Sequence, residues 1–340
     1  MSGTPKILEN VTPDSIPWET LFASPEPILL KGLVKDWPLV KKGQQSFQAM
    51  KAELTRFYDQ KPILYFRGGP DMGGCFSYNE DMSGFNYDGV NDKLTNVLDL
   101  IEACQGQAEH DYFYMNSLVV DQSFPGMRGE NDLVFNHPVF EKSPFVAKIW
   151  IGTESRALAH YDIPQNLACC VMGKRRFTLF PPSQIKNIYP GPWGMTPGGQ
   201  PVTMADIKNP DIARFPGLEE ALANAVVVDM EPGDAVYYPS LWWHEVDALS
   251  TFNVMVNYWW VNAPRFMGNP TDLLMHGILS LRDRSPAEKQ AWREFFDYYV
   301  FGDAELPRQH LPDSVHGVLA PMDDHTSRRL RNMVKQGLNI

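Results

Sequence analysis

Residues 159–182, AHYDIPQNLACCVMGKRRFTLFPP, form the stretch of sequence that decides the fold. Two short apolar runs, Leu167–Met172 and Phe177–Phe180, are separated by Gly173-Lys174 and closed by a pair of prolines. Short apolar runs bounded by turn residues are typical of consecutive strands. The stretch therefore predicts two neighbouring β-strands, with AHYD on a third strand just before them.

Similar strand-like runs recur on both sides of this stretch. They are Tyr112–Leu118, Ala147–Gly152, Ala159–Asp162, Ala225–Met230, Ala235–Tyr238 and Phe252–Trp260. Eight short strands separated by tight turns predict a β-barrel or a double-sheet jelly roll. Residues 184–220 carry Pro and Gly throughout, which predicts a long insertion between two strands of this core.

The first 110 residues mix both kinds of element. The predicted strands are Pro27–Leu30 and Ile63–Phe66, the predicted helices cover 44–58 and 92–104, and the stretch 67–89 is a predicted loop rich in Gly, Asp and Asn. The fold class is therefore mainly β, with N-terminal α/β elements before the barrel and a helical tail after it.

The character of the chain becomes helical after Ala263-Pro264. We predict a helix at about 271–281, a capping box at Ser285–Glu288 that starts another helix, and a basic helix at 327–335. The second helix carries an aromatic face that either packs against the barrel or forms a subunit interface. We predict two parts, a domain at 1–264 with its barrel core at about 112–262, and a helical segment at 265–340.

Composition excludes several classes of protein. The 340 residues carry 30 basic and 41 acidic side chains, a net charge of −11, which disfavours broad nucleic-acid binding. No run approaches 18 apolar residues, so no membrane span is predicted. The first residues lack the layout of a secretion signal, and four cysteines, two of them adjacent, do not resemble a disulfide framework. We therefore expect a cytoplasmic protein without a membrane or nucleic-acid partner.

Three side chains are candidate ligands of one metal ion. His160 and Asp162 lie two apart on a predicted strand, so both point to the same side. His244, which comes 84 residues after His160, can supply a third ligand from another strand. Two imidazoles and one carboxylate leave half of an octahedron open, as in the facial triad of non-haem Fe(II) oxygenases. A structural His–Asp pair and a three-ligand zinc site are the alternatives.

Several longer strings resemble one family. IGTESRALAHYD (151–162), QNLACCVMGKRRFTLFPPSQ (165–184), RFPGLEEAL (214–222), EPGDAVYYPSLWWHEV (231–246) and VNYWW (256–260) are similar to the JmjC/cupin-like branch of 2-oxoglutarate oxygenases that contains the hypoxia-factor asparaginyl hydroxylase. The strings occur in the family's order and at its spacing. The resemblance implies a double-stranded β-helix that uses Fe(II) and 2-oxoglutarate, with His160, Asp162 and His244 as the iron ligands.

The same resemblance implies a set of residues that bind 2-oxoglutarate. They are Tyr114, Asn166, Arg175 and Asn257. The chain departs from the family at two positions, because Arg175 replaces a lysine that binds the distal carboxylate and Ala157 replaces a threonine. A guanidinium can hold a carboxylate with two parallel hydrogen bonds, so the replacement is compatible with the role. Alternation along the strand points Arg175 inward and the neighbouring Lys174 and Arg176 outward. In the opposite register, Lys174 would point into the site instead of Arg175.

Other conspicuous residues receive simpler interpretations. Gly68–Gly74 lacks the ending of a phosphate loop and is a candidate lid near the mouth of the site. Trp242 and Trp243 are expected to pack at the end of the barrel, and alternation points Glu245 away from the metal. Cys169 and Cys170 are expected to be buried, inert thiols. The other six histidines are expected to be structural or at the surface.

The sequence thus predicts an Fe(II)- and 2-oxoglutarate-dependent dioxygenase that hydroxylates or demethylates an unidentified protein side chain or small molecule. The alternative is a metal-binding cupin without catalysis, acting as a binding or regulatory module. The helical tail, by resemblance, implies a homodimer.

Overall fold

Two β-sheets form the body of the first of two units in the chain. The structure, a computed structural model, describes residues 3–338. The chain divides into a unit of residues Met1–Asn262 and a second unit of residues Ala263–Ile340. Within the described residues the strands are β1 Lys6–Leu8, β2 Ile28–Leu30, β3 Ile63–Gly68, β4 Cys75–Phe76, β5 Asp88–Asp92, β6 Tyr112–Val119, β7 Val146–Gly152, β8 Ser155–Tyr161, β9 Gln165–Met172, β10 Arg175–Phe180, β11 Val226–Met230, β12 Ala235–Tyr238, β13 Trp243–Ala248 and β14 Asn253–Trp260.

Helices flank the sheets in the first unit and make up most of the second. In the described part they are α1 Trp18–Ala23, α2 Pro38–Gln45, α3 Phe47–Phe57, α4 Leu94–Cys104, α5 Val120–Ser123, α6 Val139–Lys142, α7 Ile185–Ile188, α8 Leu218–Ala223, α9 Pro270–Leu281, α10 Pro286–Phe296 and α11 Asp324–Leu338.

The two sheets have nine and five strands. The large sheet has the order β1-β2-β12-β9-β14-β7-β6-β3-β5, and the small sheet has the order β11-β10-β13-β8-β4. Consecutive strands β7 and β8 lie in different sheets, as do β9 and β10, so the chain crosses repeatedly between the two layers. This is the jelly-roll core that the sequence predicts; β1, β2, β3 and β5 extend its large sheet, and β4 extends its small sheet.

A tight turn between β9 and β10 joins the two sheets. Gly173 connects β9 to β10 with φ +77°, a left-handed conformation that favours glycine. A Cβ atom at this position would lie 2.7 Å from the carbonyl oxygen of Phe252, so the backbone of the neighbouring segment leaves no space for one. The turn fixes the register of the next residues, beginning with Lys174 and Arg175.

The predicted strand-like runs do not give the bounds of β13, which carries His244, although alternation is expected at Glu245. Its sequence WHEVDA includes two carboxylates, and for that reason it does not resemble a buried strand. Both carboxylates are compensated by cations, since Glu245 pairs with Arg156 and Asp247 with Lys208. The ion pairs let a strongly polar segment occupy the middle of the small sheet.

Two other predictions are wrong in detail, whereas the predicted insertion at 184–220 is confirmed between β10 and β11. The predicted helix at 44–58 is two helices, because Ser46 adopts an extended conformation and its side chain caps α3. The predicted loop at 67–89 contains the two-residue strand β4 and the start of β5. The predicted insertion at 184–220 contains α7 and the beginning of α8.

The second unit is helical, as predicted. The capping box at the start of α10 is present, with Ser285 accepting from the Glu288 backbone and Glu288 bonding back to Ser285. One π-helical turn, Asp297–Phe301, follows and ends at Gly302. Several large apolar side chains of this unit are exposed, among them Leu279, Phe295 and Phe301.

None of the helices in the described residues is both long and apolar enough to cross a membrane.

Candidate metal centre

His160, Asp162 and His244 come together at one end of the small sheet. His160 lies on β8 directly opposite His244 on β13, and Asp162 follows the last residue of β8. One potential ligand atom from each side chain lies within 4.8 Å of the other two. The Nε2 atom of His244 is 3.6 Å from a carboxylate oxygen of Asp162. In residues 3–338 these three side chains form the one group of His, Cys, Asp or Glu with such a spacing.

A β-bulge orients the first histidine. Two residues of β8, Leu158 and Ala159, lie opposite the single residue Glu245 of β13, since the register shifts between His160 and Ala157. Bulges re-aim side chains and are frequent beside active sites. Here the carbonyl oxygen of Leu158 accepts a hydrogen bond of 2.8 Å from Nδ1 of His160.

Both imidazoles are fixed by backbone carbonyls. Nδ1 of His244 donates to the carbonyl oxygen of Trp242 at 3.0 Å, which matches the arrangement at His160. A neutral imidazole that donates through Nδ1 has its lone pair on Nε2. Metal-binding histidines usually have such a partner on the other ring nitrogen. The two rings, whose centroids are 4.3 Å apart, are thus prepared to bind one ion.

The electrostatics of the centre favour a cation. Burial lowers the pKa of His244, with a further contribution from His160, so this imidazole is neutral at neutral pH. Burial raises the pKa of Asp162, and the neighbouring charges of His160 and Lys148 oppose that rise. A divalent ion among the three groups would compensate the buried carboxylate and accept both lone pairs. The donor set of two imidazoles and one carboxylate fits Fe(II) and also fits zinc.

Arg175 is a buried cation without a partner. Arg175 is 4 % exposed, and its guanidinium forms no ion pair with a carboxylate in the described chain. Its Nε atom is buried without a hydrogen-bond acceptor. Lys174 and Arg176 on either side are exposed and pair with Glu231 and Asp229, so the predicted alternation is confirmed.

Two of the three predicted neighbours of Arg175 line a cavity with it, and the third lies behind the cavity wall. Tyr114 and Asn257 line the same small inner cavity as Arg175 and the three candidate ligands. Asn166 lies behind this cavity rather than on its wall. Its side-chain oxygen accepts a hydrogen bond of 3.0 Å from Asn257, so Asn166 positions Asn257. Burial raises the pKa of the Tyr114 hydroxyl, which is therefore a neutral hydrogen-bond donor.

Two adjoining cavities reach the metal centre. The inner cavity has a volume of about 30 Å³, and the outer cavity has a volume of about 220 Å³. Tyr114, Trp150 and Ala157, together with the ligands His160 and Asp162, line both. The inner cavity has about the volume of one water molecule in the liquid, so an occupant that reaches Arg175 from the metal must widen it.

The outer cavity includes residues that the sequence analysis missed. Lys148 and Trp150 on β7 and Trp259 on β14 line it. The neighbouring residues Ala147, Ile149 and Ile151 belong to the core, so alternation on β7 assigns Lys148 and Trp150 to the opposite side. The alternation within VAKIWIG could have identified these cavity residues from the sequence. The lysine is the clearest indication, because the rest of the strand is apolar.

The candidate lid stays a prediction, because its residues are not on the cavity walls. None of residues 68–74 lines either cavity in the described structure. The flanking residues Phe66 and Phe76 do so instead, with Pro197 and Gly198 from the long insertion. The insertion lies against this region because the hydroxyl of Tyr87 donates to the carbonyl oxygen of Pro197.

The expected burial of the two tryptophans and two cysteines and the expected direction of Glu245 are confirmed. Trp242 and Trp243 are buried and pack in the core rather than on a cavity wall. Glu245 points to the opposite face of the sheet from His244 and pairs with Arg156 at 2.6 Å. Cys169 and Cys170 are buried free thiols, and burial raises the pKa of Cys170 to about 12.

The chain is similar to several characterised proteins. The cupin-like domain family matches residues 13–266. Lysine-specific demethylase JMJ31 of Arabidopsis thaliana is 34 % identical over 121 residues, which are 35 % of this chain and 21 % of that protein. Human tRNA wybutosine-synthesizing protein 5 is 27 % identical over 213 residues, 60 % of this chain and 62 % of the relative. Rat HSPB1-associated protein 1 is 23 % identical over 267 residues, 71 % of this chain and 50 % of the relative.

These matches agree with the observed architecture. In each case the match spans less than two thirds of the relative's own length. The family match, by contrast, covers about three quarters of this chain, from before the second strand to beyond the last strand of the first unit. The jelly-roll core, the His–Asp–His group and this match together assign the family: the chain belongs to the cupin-like domain family, on its JmjC-type branch.

Proposed function

We propose that this protein is an Fe(II)- and 2-oxoglutarate-dependent dioxygenase. The observation that carries the proposal is the combination of the His160, Asp162 and His244 group with the unpartnered Arg175 in one cavity. A buried guanidinium without a carboxylate is unfavourable unless a ligand supplies the missing anion. 2-Oxoglutarate is a dianion that can bind a metal at one end and a cation at the other. Fe(II) is proposed over zinc because the site also offers this second anion-binding group.

The side chains of the chain would divide the work of binding. His160, Asp162 and His244 would hold the iron and leave three of its coordination positions open. Arg175 would bind the distal carboxylate of 2-oxoglutarate, with hydrogen bonds from Tyr114 and Asn257 available beside it. Iron with 2-oxoglutarate and oxygen supplies the oxidising power needed to place a hydroxyl group on a C–H bond. The protein would orient the substrate and exclude water from the buried centre.

The substrate is an unidentified protein side chain or small molecule. One relative is named as a lysine demethylase and another as a tRNA-modifying protein, so the relatives do not agree on one substrate. The net charge of −11 argues against a polyanion such as tRNA for this chain. Hydroxylation and demethylation both begin by oxidising a C–H bond, and the arrangement of the cavity suits either.

Succinate formation tests the proposal. Purified protein with Fe(II), 2-oxoglutarate and oxygen should release succinate, slowly without a substrate and faster when a substrate is present. Variants His160→Ala and Arg175→Ala should both lose this activity. The exposed neighbour Arg176→Ala is the matched control and should retain it. Equal succinate release by the wild type and His160→Ala would reject the proposal.

A binding or regulatory cupin without catalysis is the second candidate. Ala157 favours it, because this residue lines both cavities and offers no hydroxyl group. This candidate predicts one bound metal ion and 2-oxoglutarate affinity without succinate formation under any condition. Metal analysis of freshly purified protein also separates an iron protein from a zinc-dependent enzyme.

A further inference from the structure

The outer cavity has aromatic walls and opens onto the candidate metal ligands. Its aromatic lining consists of Phe66, Phe76, Tyr87, Tyr114, Trp150 and Trp259. Several of these rings contact one another, as Phe66 and Tyr87 do at a centroid distance of 4.8 Å. Rings that are fixed by mutual packing form a rigid wall, and such walls bind flat or apolar groups by stacking and by burial of area.

One positively charged side chain, Lys148, extends into this aromatic cavity. Its Nζ atom is 3.9 Å from the centroid of the Trp259 ring and donates a hydrogen bond of 2.6 Å to the hydroxyl of Ser117. Lys148 forms no ion pair within 4.0 Å in the described chain, although its side chain is partly buried. The ammonium group is thus held in place by a ring face and a neutral hydroxyl, neither of which cancels its charge.

A strained bulge in β6 presents the serine that holds the lysine. The pairing of β6 with β7 shifts between Met115 and Leu118, and Ser117 adopts φ +63°. Residues other than glycine rarely occupy this conformation, and those that do so cluster at functional sites. The bulge places Asn116 and Ser117 on the cavity wall. The lysine is therefore positioned by a specific backbone feature.

Several polar atoms around the cavity are buried or already engaged. The indole nitrogens of Trp150 and Trp259 are buried and have no hydrogen-bond partner in the described structure. The hydroxyl of Ser117 is already engaged by Lys148, and the carboxylate of Asp162 belongs to the metal centre. Of the two charged side chains on the lining, Asp162 and Lys148, only Lys148 therefore remains available to an occupant, and an anionic group would pair with it.

The charges of the loaded site lead to the same conclusion, and this step rests on the proposed function. A divalent ion with Asp162 and a 2-oxoglutarate dianion would carry one net negative charge. Arg175 cancels that charge, and Lys148 leaves one positive charge uncompensated in the outer cavity. One negative charge on the substrate would balance the site.

We propose that the outer cavity binds a small aromatic monocarboxylate as substrate, with its ring between the aromatic walls and its carboxylate at Lys148. The cavity volume of about 220 Å³ equals that of about seven water molecules, which suits a small molecule. No genetically encoded side chain carries both an aromatic ring and a carboxylate, so a free acid is favoured over an internal protein side chain. A single lysine also does not suit a polyphosphate or a nucleic acid.

Calorimetric binding to the whole protein tests this assignment. The protein is loaded with Mn(II), which occupies the metal centre without turnover, and is titrated with 3-phenylpropionate, indole-3-propionate, their primary amides, and hexanoate. The titrations are run with and without 2-oxoglutarate. We expect each aromatic acid to bind about tenfold or more tightly than its amide, which corresponds to one charge-assisted hydrogen bond. Hexanoate should bind more weakly than either aromatic acid.

Four variants localise the effect. Lys148→Met should remove the preference for acid over amide and leave amide affinity nearly unchanged, whereas Lys148→Arg should retain part of the preference. Trp259→Leu should weaken acids and amides alike. Lys142→Met, an exposed lysine on α6, is the control and should behave as wild type. Thermal melting of each variant verifies that it is folded.

Three results would overturn the assignment. They are equal affinity of acids and amides for the wild type, an acid preference that survives in Lys148→Met, and a loss of 2-oxoglutarate binding rather than acid binding in Lys148→Met. The last result would place Lys148 in the co-substrate site. The binding assay needs neither oxygen nor turnover. An active oxygenase that does not prefer acids over amides would therefore contradict this inference and leave the proposed function intact. A protein that prefers the acids but releases no succinate would contradict only the proposed function.

Discussion

Replacing Arg175 by methionine should stabilise the protein without ligands and weaken its binding of 2-oxoglutarate. Met has a similar length and no charge, so the change removes a buried cation and preserves most of the packing. Burial lowers the pKa of the Arg175 guanidinium, which reflects the unfavourable environment of its charge. A guanidinium nevertheless remains protonated at neutral pH, so the folded protein carries this unfavourable charge.

The magnitude of the stabilisation follows from the missing partner. Replacing a buried ion pair by apolar side chains of similar volume is often neutral or stabilises proteins by about 1–4 kcal/mol, and a buried charge without a partner has no attraction to lose. Arg175 is 4 % exposed and has no anionic partner in the described chain, which places it among the favourable cases. For a unit of this size, about 1 kcal/mol corresponds to about 2–4 °C in Tm. We therefore expect Arg175→Met to melt several degrees above the wild type when no ligand is present.

The effect on binding should have the opposite sign. A hydrogen bond to a charged group contributes about 1.5–3 kcal/mol, so losing the guanidinium should weaken 2-oxoglutarate binding by about tenfold to 100-fold. Arg175→Lys keeps the charge and loses the planar fork, so its affinity should be intermediate. Scanning calorimetry measures the first quantity, and titration of the Mn(II)-loaded protein with 2-oxoglutarate measures the second.

Arg176→Met is the control, because Arg176 is exposed and its pair with Asp229 is at the surface. It should change neither Tm nor affinity appreciably. An Arg175→Met protein that melts lower than the wild type and binds 2-oxoglutarate equally well would refute the reasoning.

Three further predictions concern the metal, the thiols and the oligomeric state. Asp162→Ala should reduce bound Fe(II) or Co(II) from one ion per chain to nearly none in equilibrium dialysis, whereas Glu154→Ala, outside the candidate metal group, should retain it; equal metal content would contradict the ligand assignment. Because burial raises the pKa values of Cys169 and Cys170, at most two of the four thiols should react with a disulfide reagent at pH 8 in the native protein, and all four should react in denaturant; four rapid reactions in the native state would show that the strand is accessible. The homodimer predicted from the helical segment should appear in light scattering as twice the mass of one chain, and Phe301→Asp should lower that mass if the exposed apolar face forms the interface; a wild-type monomer would reject it.

The fold could be predicted wherever residue type and periodicity agree. The turn at Gly173 and the strands on either side combine an apolar pattern with an obligatory turn residue, and these elements match the structure. Strand β13 could not be found in this way, because Glu245 and Asp247 depend on Arg156 and Lys208, which are distant in sequence. A pattern along one strand does not show which charges on neighbouring strands will pair with its own.

The same distinction applies to the candidate site, where only the residues that follow regular alternation could be predicted. His160 and Asp162 are recognisable because alternation brings both to one side of a strand, and the outward direction of Arg176 follows from the same rule. The bulges at Leu158 and Ser117 are departures from regular pairing that no local pattern in the sequence predicts. Lys148 depends on the second of them, since its hydrogen-bond partner is Ser117.

The central claim is that three side chains from two strands hold one Fe(II) ion whose open positions accept 2-oxoglutarate. Anaerobic titration of the apoprotein with Fe(II) and 2-oxoglutarate, followed by visible absorption, tests it most directly. We predict a metal-to-ligand charge-transfer band that needs both additions, saturates at one iron per chain and is missing from His160→Ala. The absence of a band in the wild type, or an unchanged band in His160→Ala, would contradict the claim.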